Sequence, residues 1–95
     1  MSPKNIKKLN LIRTKLDKID IQLLKLIKYR TNLVNNVLKL KKFKKEIIDY
    51  KRISSILKRI KQNSIKLKID TKLTHRIWKN LIWSYIDYEK RKFRK

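Results

Sequence analysis

Apolar residues recur at steps of three and four from Leu9 to Leu40, passing through Ile12, Leu16, Ile19, Leu23, Leu26, Leu33 and Val37. That spacing is the period of an amphipathic α-helix, and it runs to about position 42. At about 1.5 Å per residue such a helix extends roughly 50 Å, and only two shorter segments of the chain remain to cover it. They are too short to do so. The stripe therefore asks for a second chain, and size points the same way, because 95 residues bury little surface on their own.

The rest of the chain reads as two further helices. Lys42 to Ile48 is a lysine-rich connection, and Asp49 is placed to cap a helix with Ile53, Ile56, Leu57 and Ile60 on its apolar face, ending near Ser64. Asp70 and Thr71 open a third helix, with Leu73, Ile77, Trp78, Leu81, Ile82, Tyr85 and Ile86 on its inner side and a basic tail from Lys90. There is no hairpin signal, internal repeat or low-complexity linker. The expectation is one all-α domain over residues 1–95, with helices at about 6–42, 50–64 and 70–93, the first much the longest, forming an intertwined homodimer.

The formal net charge is +22. Such an excess ordinarily suggests nucleic acid or an anionic membrane surface. Here it is carried by 22 lysines against seven arginines, alongside many Ile and Asn and no Gly or Ala, the pattern of AT-rich coding. Each arginine is therefore more informative than each lysine, and the residual excess invites an acidic protein partner. No cysteine is present, which removes thiolate chemistry, and His75 alone cannot build a metal site, so neither a metal nor a cofactor is expected. His75 reads as a surface residue and the two tryptophans as core. No apolar run resembles a signal peptide or a membrane span, so a cytoplasmic protein is expected.

Polar residues on apolar rows are the candidates for function, because a buried charge is costly unless it is paired. Arg30 and Lys41 fall in line with Leu23, Leu26, Leu33 and Val37, 11 residues apart, so two cationic arms could converge on one anion. The bland reading is a pair of snorkelling cations. Glu89 continues the row of Trp78, Ile82 and Tyr85, where the bland reading is a partner of Arg91, Lys92 or Arg30. Arg13 reads as a surface residue, about 25 Å from Arg30 along the helix, too far for one chain to bring both to a small ligand. An antiparallel partner helix could deliver its own Arg13.

These residues also form an ordered pattern that resembles the all-helical class of chorismate mutases over nearly the whole chain. Leu11-Ile12-Arg13-Thr14-Lys15-Leu16-Asp17-Lys18-Ile19-Asp20 looks like that family's L-R-x-x-I-D-x-I-D signature, and Leu23-Leu24-Lys25-Leu26-Ile27-Lys28-Tyr29-Arg30 resembles its L-L-x-L-L-x-x-R. Lys41 falls at the family's catalytic lysine, Asp49-Tyr50-Lys51-Arg52 is similar to its D-x-x-R, and Glu89 takes the place of the Gln or Glu on its last helix. The resemblance implies a dimer with two shared sites, each using Arg30, Lys41, Asp49, Arg52 and Glu89 of one chain and Arg13 of the other. By the same implication Arg13 and Arg30 hold the two carboxylates of chorismate, while Lys41 contacts one carboxylate and the ether oxygen. Asp49 and Arg52 position the ring hydroxyl side, and Val37, Ile56, Ile82 and Ile86 form an apolar wall. The reaction breaks a C–O bond as a C–C bond forms, so it needs no nucleophile, metal or cofactor, only cations that fix the reactive conformer and stabilise charge on the ether oxygen.

Two positions depart from the family pattern. Residue 53 is Ile where most of these mutases have Glu, which removes an expected contact to the substrate hydroxyl. Tyr85, counted among the substrate-binding candidates, replaces a small polar residue, and Trp83-Ser84-Tyr85-Ile86 resembles a segment of isochorismate pyruvate lyase, a relative on the same fold. That lyase is the runner-up; a basic helical nucleic-acid binder is the other alternative, and it gives no reason for Glu89 within an apolar row. Glu89 can donate to an ether oxygen only when protonated, so turnover is expected to fall as pH rises.

Overall fold

The computed structural model describes residues 1–94, which form three α-helices and one short 3-10 helix with no strand among them. Helix α1 spans Pro3–Leu40, α2 spans Tyr50–Lys66 and α3 spans Thr71–Lys92, with the 3-10 turn at Lys44–Ile47 between α1 and α2. The chain divides into two compact units, Met1–Asn36 and the remainder from Val37 onward. No helix among the described residues is long and apolar enough to cross a membrane.

Local chemistry sets each boundary. The Ser2 hydroxyl accepts the Asn5 N–H at 3.2 Å and Pro3 takes the first helical position, where its missing N–H costs nothing, so α1 begins earlier than the apolar period alone suggests. It ends at Leu40, and Lys41 follows in a turn closed by its N–H to the Leu38 carbonyl at 3.1 Å. The expected caps are present: Asp49 accepts the Arg52 N–H at 3.0 Å and Asp70 accepts the Leu73 N–H at 2.9 Å. Helix α2 closes with Lys68 in the left-handed region, at φ 58°, while the Ile69 N–H reaches the Ser64 carbonyl and the Lys68 N–H reaches that of Ile65. Glycine usually takes that position, and this chain has none.

The connection after α1 is ordered by one carboxylate. Glu46 accepts the backbone N–H groups of both Lys42 and Phe43 at 2.7 Å. The Phe43 N–H is the main reason its carboxyl is held below the usual glutamate range; desolvation opposes it, and the Lys42 N–H and the charges of Lys45 and Lys41 each add a smaller lowering. A lowered value means that the turn is stabilised while Glu46 is ionised and loses that support as pH falls through the lowered value.

Within the second unit, Leu38, Ile47, Ile82 and Ile86 are buried together, and Ile48, Ile53, Ile56, Leu57 and Phe93 pack against them. Contacts of Ile53 and Ile56 with this cluster at one end, and of Ser64 with Thr74 at the other, make α2 and α3 antiparallel. At that second end the Ser64 hydroxyl donates to the Ile60 carbonyl at 2.6 Å and so accepts from the Thr74 hydroxyl at 2.7 Å, which satisfies both buried groups. The third helix buries fewer residues than its sequence pattern suggests. Ile82 and Ile86 are buried, and Trp78, Leu81 and Tyr85 are half-buried. Leu73 and Ile77 are exposed because they fall on a flank that does not face α2, and Trp83 is a surface residue rather than core.

Taken by itself, α1 keeps its apolar stripe in solvent. Ile12, Leu16, Ile19, Leu23 and Leu26 are all about half exposed or more, as are Leu11 and Leu24 beside them.

Candidate active site

Lys41 and Glu89 come from elements 48 residues apart in sequence and meet side chain to side chain. The Lys41 ammonium donates to Glu89 Oε1 at 3.3 Å, with the two side chains only 19% and 9% exposed. Their neighbours explain why the charges are held there. Ile82 and Ile86, two turns and one turn before Glu89 on α3, belong to the buried cluster, and Leu38 of that cluster lies three residues before Lys41. Helix α3 thus aims a carboxylate along its buried face, and the turn ending α1 swings a lysine onto it. Of the three partners weighed for Glu89, none is the one found: Arg91 pairs instead with Asp87, at 3.1 Å on the surface.

This juxtaposition supplies a strong hydrogen-bond donor in a low-polarity setting beside a carboxyl that can act as acceptor or, once protonated, as second donor. Both heads could reach one oxygen atom, the arrangement needed where negative charge develops during a reaction.

The remaining candidates in this unit lie around the same end. Asp49 uses Oδ1 to cap α2 and is itself exposed, which leaves its second carboxylate oxygen for another donor. The Arg52 backbone is the partner in that cap, and its guanidinium side chain is exposed. Ile56 packs on the cluster, Ile82 and Ile86 are part of it, and Val37 is 49% exposed. Tyr85 is half-buried, its ring set edge-on to Tyr88 with centroids 6.3 Å apart. In the first unit, Arg13 is exposed and Arg30 is half-buried. Two residues that support the site escaped the sequence pattern, Leu38 and Ile47. Leu38 sits beside the stripe rather than on it, and Ile47 is hidden among lysines and hydrophilic neighbours.

A family model described as chorismate mutase type II matches residues 12–90, which takes in every candidate from Arg13 to Glu89. The chain belongs to the chorismate mutase type II family. No curated protein and no solved structure gives a significant match. Family membership brings chorismate mutase function with it, and the partly buried Lys41–Glu89 pair sits well with that chemistry. A mutase need only bind a dianion compactly and stabilise charge on its breaking ether bond. The all-helical architecture agrees with the same assignment.

Proposed function

We propose that this chain converts chorismate to prephenate, as an isomerase of the cytoplasm serving phenylalanine and tyrosine formation, in sites that two copies build together. The observation that carries the proposal is the Lys41–Glu89 pair, held at 3.3 Å against an apolar cluster in a chorismate mutase chain. In this reading Lys41 donates to the ether oxygen as the C–O bond breaks, and Glu89, when protonated, donates to the same atom. Arg30 and the second chain's Arg13 hold the two carboxylates in the conformer that brings the new C–C bond's ends together. Asp49 and Arg52 orient the hydroxyl side, and Val37, Ile56, Tyr85, Ile82 and Ile86 shape the apolar wall. The exposed stripe of α1 supports a second chain, since single soluble chains rarely leave so continuous an apolar face in water.

The test has two arms. Purified protein is offered chorismate and isochorismate separately; prephenate from the first supports the mutase, whereas salicylate and pyruvate from the second would assign the lyase reaction instead. The second arm mixes two inactive variants, Arg13→Ala and Arg30→Ala, after joint unfolding and refolding. A mixed dimer has one site with both arginines intact, so random pairing of equal amounts should restore about a quarter of wild-type activity. No recovery, with dimers shown to have exchanged, overturns the shared site.

A further inference from the structure

The α2–α3 pair carries a concave feature away from Lys41 and Glu89. An open groove of about 650 Å³ lies between the two helices at the end marked by the Ser64–Thr74 hydrogen bond. Lys58 and Lys61 of α2 face Lys72, His75 and Arg76 of α3 across it, and no carboxylate lines it. The nearest acid in sequence, Asp70, spends Oδ1 on the cap of α3. None of the four formal cations makes an ion pair among the described residues. From His75 to Glu89 is 14 residues of helix, about 20 Å. On α2 the groove opens on a different flank from the candidate active site, because Lys58 and Lys61 stand well around the helix from Arg52 and Ile56, whereas on α3 His75 shares the face of Ile82 and Glu89 and is separated from them by distance along the helix.

Composition alone does not account for what this groove can hold. Most of its surface is apolar, from Leu57, itself packed against the core, and from the aliphatic stems of the lysines. A cationic rim over a carbon floor suits a ligand that is acidic at its edges and apolar at its centre. We infer that this groove docks an acidic amphipathic helical segment of another protein, whose carboxylates meet Lys58, Lys61, Lys72 and Arg76 while an aliphatic side chain rests on Leu57. A helix seated between two helices is a common recognition geometry, and the cations provide steering as well as register. A nucleic-acid strand fits less well, because its phosphates would use the rim and leave the Leu57 floor without a contact, and no Phe, Tyr or Trp lines the groove as a stacking platform, His75 being its one ring. This inference does not depend on the reaction at Lys41 and Glu89.

The experiment measures fluorescence anisotropy of three labelled probes with equal formal charge against the intact protein: an amphipathic helical peptide of Glu and Leu, an oligoglutamate, and a single-stranded oligothymidine. The amphipathic peptide should bind about tenfold tighter than either of the others, and the triple variant Lys58→Glu, Lys61→Glu, Arg76→Glu should lose that advantage by about tenfold or more. Reversing the same number of charges at Lys4, Lys7 and Lys8 should cost no more than about threefold. With the wild-type protein, peptide-induced amide shifts should concentrate on residues 57–61 and 71–76, a readout that stands even where the triple variant does not fold. Equal binding of oligoglutamate, tighter binding of oligothymidine, equal loss in the two triple variants, or shifts spread over the whole surface would each overturn the inference.

Discussion

Lys41 and Glu89 illustrate how one residue pair can serve both stability and chemistry. With side chains 19% and 9% exposed, each limits the cost of burying the other, so Lys41→Ala leaves a carboxylate with little water and no counter-charge. Thermal or denaturant unfolding should show a loss of about 1–3 kcal/mol, discounted from a fully buried pair because Lys41 retains some solvent. Turnover should fall about a hundredfold or more, since a donor to the developing oxyanion is gone, while helicity by circular dichroism persists. Glu89→Gln keeps the shape and supplies an amide N–H that can donate to the same ether oxygen, so turnover should survive in it, whereas Glu89→Ala should lose about tenfold or more. Turnover in Glu89→Gln as low as in Glu89→Ala would remove Glu89 from that role. Both residues were legible in the sequence because each interrupts an apolar row. Their pairing was not legible, because it depends on α1 stopping at Leu40 and letting Lys41 turn, which the lysine-rich segment beyond it gives no sign of.

At the scale of elements, the caps were readable and the closures were not. Asp49 and Asp70 stand where a short polar acceptor precedes an apolar period, and both accept the expected N–H groups. The start of α1 rests on Ser2 and Pro3, outside the apolar period that announces the rest of the helix. The end of α2 has no sequence mark at all, since a glycine would ordinarily announce it and Lys68 occupies the left-handed position. A side chain with a Cβ costs energy there, so Lys68→Gly should raise stability by about 0.5–1 kcal/mol, measured by chemical denaturation, with no change at Lys41 and Glu89. A loss of stability would mean that the lysine side chain contributes more than its backbone strain costs. The Ser64–Thr74 bond, which fixes the far end of the same helix pair, was equally hidden, because hydroxyl residues on a buried face look like surface residues until both are seen facing each other.

For the whole molecule the main quantity is how little apolar surface one chain buries. Among the described residues four apolar side chains are buried, while most of the α1 stripe is not. If a second copy covers that stripe, unfolding is coupled to dissociation, and the melting temperature should rise with protein concentration over the micromolar range. A midpoint independent of concentration, with a monomer mass in solution, would remove the shared site and with it the role proposed for Arg13. The left-handed Lys68 has a further consequence when set against the composition. A chain without glycine is forced to strain its backbone at that position, but every one of its residues also carries a side chain that narrows the conformations open to it before folding. The same lack of glycine that works against one turn thus leaves the denatured ensemble less disordered, which reduces the entropy that a sparse interior must overcome.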